Sequence, residues 1–167
     1  AGPAGAYEFW ARSAHPAISS VAVNSPTPGI VDIYPLMADG QIPSDEIIQM
    51  VEDVLTDEQV RPLTDDVHVY TPTASEYTLS VTYYIDRAKT TTATSIQVAV
   101  EAAVDAWILW QRERLGRDIN PSELIHRMIS AGAKRVVVSS PEYTSMAFNQ
   151  LAVCSSSTVN FGGLEDG

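Results

Sequence analysis

The sequence predicts an α+β fold of two small sheet-and-helix modules, α-β-β-α-β followed by β-α-α-β-β, with helices packed on one face of mostly antiparallel or mixed sheets. Three observations predict it. Apolar residues recur at helical spacing in several stretches, they alternate at period two in others, and strand-like stretches adjoin one another instead of alternating strictly with helices. With 167 residues, 45% of them hydrophobic, the chain suffices for one large domain or two small ones. Thr71 to Glu76 is the candidate boundary, giving a first module at 1–73, a second at 74–154 and a polar, flexible C-terminal tail at 155–167.

The elements follow in order. Tyr7, Trp10, Ala11 and Ala14 share one helical face, and this helix ends before Pro16. Ile18 to Val23 and Ile30 to Met37 read as strands around a turn, Asn24 to Gly29. Pro35 cannot donate a ladder hydrogen bond, so an edge or bulge is expected there. Ser44 caps a helix with Asp45 and Glu46 in its first turn and a stripe of Ile47, Ile48, Val51, Val54 and Leu55. Val60 to Asp66 is a connection, and Val67 and Val69 alternate with His68 and Tyr70 in a short strand.

In the second module, Leu79, Val81, Tyr83 and Ile85 face one way along a long strand. Thr94 and Gln97 spell a capping box before the stripe Ile96, Val100, Ala103, Val104, Trp107 and Ile108, a helix closing near Gly116. Asn120, Pro121 and Glu123 spell cap, first residue and box partner of another helix, which runs through Leu124, Ile125, Met128 and Ile129 to Gly132. Ala133 to Ser139 is a strand whose three consecutive valines predict burial on both faces. Gln150 to Cys154 is a further strand.

Function classes narrow next. Ten Lys and Arg against 21 Asp and Glu leave a net charge of −11, which disfavours nucleic acid and anionic membrane as partners. The lone Cys154 cannot form an internal disulfide, no leader or membrane span is visible, and a start at Ala1 points to a piece of a longer protein made inside the cell. His15, His68 and His126 lie far apart, and only His126 with Glu123 has half the spacing of a metal site. The pairs Asp57-Glu58 and Asp65-Asp66 read as solvated charge or turn chemistry. No nucleophile elbow, activated thiol or phosphate-cradling loop is present. The expectation is a building block and not an enzyme, with no catalytic, cofactor-binding or metal-ligating residues, no cofactor and no small-molecule substrate. Trp107 and Trp110, beside Arg112 and Arg114, read either as core or as a candidate protein interface, where Trp and Arg are enriched.

Several segments together resemble the Baseplate J-like family, the wedge proteins of contractile phage and prophage tails, in its C-terminal half. They are Gly2 to Ala14 (GPAGAYEFWARSA), Ser25 to Gly29 (SPTPG), Val60 to Asp65 (VRPLTD), Thr82 to Ile85 (TYYI), Leu115 to Ser122 (LGRDINPS) and Ala131 to Pro141 (AGAKRVVVSSP). The resemblance implies a structural component of the baseplate wedge, joining other wedge subunits and copies of itself in a ring around the hub. It implies a place in the virion baseplate after assembly in the host cytoplasm. Such a part works through interfaces that hold yet shift when the tail triggers. Two alternatives stand beside it: a cell-wall hydrolase domain of the tail, which needs Glu123, His126 and a further ligand to converge, and a free-standing α+β peptide-binding or chaperone module using an exposed sheet edge.

Overall fold

The computed structural model describes residues 3–57 and 65–167. The connection predicted at 60–66 lies outside them up to residue 64, as does Glu58. The chain forms two compact units: unit 1 is Ala1–Thr73, Glu113–Gly116 and Ala147–Leu151, and unit 2 is Ala74–Arg112, Arg117–Met146 and Ala152–Gly167.

Unit 1 opens with α1 (Pro3–Ser13), which buries Tyr7 and Ala11. Trp10, expected on that face, is 38% exposed and sits edge-on to Phe9. The small Ala11 lets the helix approach its neighbours closely, leaving no volume there for an indole. Two antiparallel strands follow, β1 (Ile18–Asn24) and β2 (Ile30–Met37), in a register that sets Val23 opposite Ile33. In the turn between them the Ser25 hydroxyl spans Thr27 O (3.1 Å) and Ile30 O (2.8 Å). The register slips at Ser19 on β1, so the bulge lies there, while Pro35 stays in register with Val21. Pro35 also lies beyond Ile30–Ile33, the stretch of β2 that pairs with the next strand. That strand, β3 (Asp66–Val69), runs parallel to β2 after the crossover helix α2 (Asp45–Leu55), giving the order β1-β2-β3. Ser44 caps α2 by accepting the Ile47 N–H, and Val51 and Leu55 complete a core with Tyr7, Ala11, Ile18, Val21, Val31, Ile33 and Val69.

Unit 2 is built on β4 (Thr73–Asp86), whose alternation buries Tyr77, Leu79, Val81, Tyr83 and Ile85 on one face. Its neighbours are β5 (Arg135–Ser140), antiparallel, and β6 (Gln150–Glu165), in the order β5-β4-β6. Ser155 Oγ reaches Tyr77 O, Phe161 packs on Tyr83 and Gly162 lies against the Tyr84 ring. The numbering climbs together on both strands, so β6 runs parallel to β4. On the buried face lie α3 (Ala93–Arg112) and α4 (Pro121–Ser130), contributing Val100, Val104, Trp107, Leu124 and Met128.

Four local expectations change in unit 2. The tail expected to be flexible over 155–167 is strand as far as Glu165, because β4 offers a ladder along its whole length and a polar serine run can fill it. The valines of β5 are not buried on both faces: β5 is an edge strand and Val137 is 42% exposed. The helix expected to begin at a Thr94 box is preceded by a 3-10 turn, Arg87–Thr92, whose cap is Asp86, accepting from Ala88 N at 2.9 Å. Asn120 caps α4 through Ser122 N (3.1 Å), but the reciprocal place of Glu123 is taken by Gln111, which accepts the Asn120 N–H at 2.7 Å. Glu123 pairs with Arg127 instead, at 3.0 Å. Gly132, at φ +122, ends the segment where any Cβ would meet Ile96 at 2.9 Å.

Candidate functional site

The candidate interface residues lie on the last turns of α3 and just beyond, and the structure separates them. Trp107 sits at 0% exposure, edge-on to Tyr77 (centroids 5.7 Å apart), with its indole N–H donating to Asn120 O at 3.1 Å. It belongs to the core, because its position on the stripe Val100, Val104, Trp107 and Gln111 points it at β4. Trp110 is one turn further and only half-buried. The guanidinium carbons of Arg117 and Arg127 lie 4.2 and 5.3 Å from its ring centroid. Arg117 also donates to the Trp110 carbonyl, so the helix end and the indole are held by one cation. Arg112 is half-buried in unit 2, whereas Arg114 is exposed and belongs to unit 1.

Sequence reasoning missed two residues here. Gln111, 0% exposed, donates to Asp118 O (3.0 Å) as well as accepting from Asn120, so one side chain holds the α3–α4 connection at two points. Its place on the apolar stripe at i, i+4, i+7 and i+11 was the available signal. Asp118 accepts the Tyr143 hydroxyl and the Met146 N–H, each at 2.7 Å, and these bonds hold its carboxyl below the usual carboxylate range. With the Ile119–Thr144 bridge they anchor the stretch after Pro141, where the sequence signal weakens.

Among the described residues the titratable groups do not gather into a catalytic arrangement. His15 Nδ1 accepts from Ala17 N (3.0 Å), His68 Nε2 contacts Asp66 (3.0 Å), and His126 is exposed on α4 while Glu123 is engaged by Arg127. Among the described residues no three His, Cys, Asp or Glu side chains converge as a metal site. Burial pushes the Cys154 thiol above its ordinary value, the opposite of an activated nucleophile. An open cleft of about 460 Å³ beside α1 is lined by Gly5, Glu8, Phe9, Arg12 and Ser13. The Ser13 hydroxyl there is committed to Trp10 O at 2.6 Å. No helix among the described residues is long and apolar enough to cross a membrane.

The described surface carries several large exposed apolar side chains. Val98 (64%) and Leu109 on α3, and Ile129 on α4, stand exposed in unit 2. Phe9, Trp10 and Met50 do so in unit 1.

The family model described as Baseplate J-like central domain matches residues 1–71, and that described as Baseplate J-like protein C-terminal domain matches residues 77–161. Baseplate protein J of Escherichia phage P2 is 30% identical over 169 residues, covering 99% of this chain and 55% of the relative. The chain thus spans about half the length of that curated relative. Among solved structures, the cryo-EM structure of the anti-feeding prophage (AFP) baseplate, 6-fold symmetrised, contains a similar fold. Its TM-score is 0.61 at 11% identity, over 89% of this chain and 36% of that one.

Proposed function

Since this chain belongs to the Baseplate J-like family, we propose that it is a structural component of the baseplate wedge of a contractile phage or prophage tail and carries no catalytic step. The observation that supports this most is collinearity: the central-domain match falls on the chain's first 71 residues and the C-terminal-domain match on residues 77–161, in family order. Its partners in this reading are other wedge subunits and copies of itself in a ring around the hub. Its location is the virion baseplate, reached by assembly in the host cytoplasm.

Trp110, with Arg112 and Arg114, supplies contact to a neighbouring subunit. The support is that Trp110 is only half-buried and gathers the guanidiniums of Arg117 and Arg127 beside it, and Trp and Arg are enriched at protein interfaces. Trp107, buried in the core of unit 2, is left out of this proposal.

A paired substitution tests the reading in a reconstituted tail. Trp107→Ala removes a fully buried indole and costs about 3–5 kcal/mol, so it lowers the yield of folded chain. Trp110→Ala loses two partly exposed cation–π contacts, about 1–2 kcal/mol, together with part of the packing of a half-buried indole on the core. It leaves the circular dichroism spectrum unchanged and reduces wedge and ring formation. Normal ring assembly by a folded Trp110→Ala chain would remove this surface from the interface.

A further inference from the structure

The sheet of unit 1 carries helices on one face and a row of rings on the other. α1 and α2 pack on Val21, Val31, Ile33 and Val69, so the residues between these at period two point away: Asp32 and Tyr34 on β2, Asp66 and His68 on β3. Tyr70, one residue past β3, continues that row and donates its N–H to Ile33 O at 2.8 Å. Four rings from three separate stretches of unit 1 then touch in succession. Phe148 stands edge-on to Tyr34 with centroids 5.5 Å apart, Tyr34 lies 5.5 Å from Tyr70, and Tyr70 stacks on His68 at 6.0 Å. Tyr70 is 44% and Phe148 46% exposed, so the row faces water. Two carboxylates border it: Asp32 is opposite His68 in the β2–β3 register, and Asp66 Oδ2 lies 3.0 Å from His68 Nε2. Among the described residues no Lys or Arg lies over any of these rings or pairs with either carboxylate.

Unit 2 shows what completes such a pair of groups. Arg135 lies 4.0 Å from the Tyr84 ring centroid and donates to both oxygens of Glu165, at 2.8 to 3.2 Å. A guanidinium serves both at once because its flat face is attracted by the ring quadrupole while its edge forks onto a carboxylate. The ring face of unit 1 repeats the aromatic and the carboxylate without the cation. We propose that this face binds an extended, arginine-rich segment of a partner protein, whose guanidiniums stack on Tyr34 and Tyr70 and pair with Asp32 and Asp66. Charge complementarity favours this occupant: a basic segment is drawn to a chain of net charge −11 and meets two carboxylates there, whereas a nucleic acid or another acidic chain is repelled. Desolvation, then Asp32, Tyr34 and Asp66 in that order, raise the pKa of the Tyr70 hydroxyl, so the field of both carboxylates reaches the rings. Spacing favours an extended segment. Alternate side chains of a strand lie about 6.6 Å apart, near the 5.5 and 6.0 Å between successive rings, so arginines at every second position meet successive rings.

The ring face belongs to the chain whatever its place in a tail, so failure of its test leaves the baseplate reading standing. The probe is the peptide acetyl-Ser-Arg-Ser-Arg-Ser-Arg-Ser-amide, titrated into the isotope-labelled chain and followed by NMR at the tyrosine rings and the amides of β2 and β3. The same peptide with citrulline in place of arginine is the neutral isostere. The arginine peptide is expected to shift the Tyr34 and Tyr70 rings, and the citrulline peptide to leave them in place. Tyr34→Leu with Tyr70→Leu keeps apolar bulk and is expected to weaken binding about tenfold, the worth of two exposed cation–π contacts. Asp32→Asn with Asp66→Asn is expected to weaken it about fivefold. Glu46→Gln with Asp53→Asn removes two exposed charges from α2, behind the sheet, and is expected to change it by less than about twofold. Circular dichroism checks that each variant folds. No binding of the arginine peptide, equal binding of the citrulline peptide, or an equal loss in the α2 variant would each overturn the proposal. So would ring shifts caused by a neutral β-linked glucose oligomer and not by the peptide, which would make the row a sugar platform. Ring shifts that grow with chain concentration in the absence of peptide would make a second copy the occupant and overturn it too.

Discussion

Replacing Gln111 by Met tests the least conspicuous joint in unit 2. The two side chains are similar in length and flexibility, so packing around Val104 and Trp107 is conserved to first order. What changes is hydrogen bonding. Asn120 N–H loses its acceptor at 2.7 Å and Asp118 C=O its donor at 3.0 Å, both beside a side chain that is 0% exposed. A fully buried backbone group left without a partner costs about 1–3 kcal/mol, and both groups here are part-buried, so about 2–6 kcal/mol is the upper range for the pair before relaxation admits water. Allowing for relaxation, a loss of about 3 kcal/mol is expected, which for a chain of this size lowers the melting temperature by about 6–12 °C. Urea unfolding followed by tryptophan fluorescence reads this directly, with an unchanged m-value marking a pure stability effect. A loss below about 1 kcal/mol, less than one orphaned group, would refute the reasoning and show that the α3–α4 connection is held by Asn120 and the Trp107 indole alone.

Two further outcomes are expected. Tyr77 Oη is buried without a hydrogen-bond partner among the described residues, and desolvation raises its pKa. Tyr77→Phe should therefore stabilise the chain by about 1 kcal/mol. Because the folded pKa lies above the unfolded one, the tyrosine's contribution is present below the ordinary phenol range and declines as pH rises through it, so Tyr77→Phe should also resist alkaline unfolding. Asp118 has the opposite sign: its folded pKa is depressed, so its contribution is present above the ordinary carboxylate range and lost as pH falls through the folded value. Acid titration of Asp118→Asn, monitored by unfolding midpoint, should give a shallower decline than wild type, and an identical slope would count against the assignment.

Most elements were legible because their cause is local. β2 occupies Ile30–Met37 as its β-formers predicted, and α2 begins after Ser44 because a hydroxyl there meets an orphan N–H. β4 alternates as its side chains do. The misses share a non-local cause. Nothing within Ser155 to Glu165 makes it a strand; the ladder is supplied by β4. The valines of β5 look like a central strand, yet position in the sheet, which no single stretch encodes, leaves Val137 exposed. Glu123 satisfies the spacing of a capping box, and Arg127 on the next turn and Gln111 on another helix compete for the same groups and win. At the candidate interface, helical period put Trp107 and Trp110 together on one helix, but only their place relative to β4 distinguishes core from surface.

The parallel match of β6 to β4 also sets a timetable for biosynthesis. Tyr77 and Ser155 are 78 residues apart, so a ribosome adding about 5–20 residues per second exposes β4 for roughly 4–16 s before its second neighbour exists. The strands of unit 1's sheet, all within residues 18–69, have emerged by then. During the interval the uncharged run Tyr77 to Ile85 is open to other nascent chains, and Glu76 and Asp86, one at each end, act as electrostatic guards of a strand that is made early and completed late.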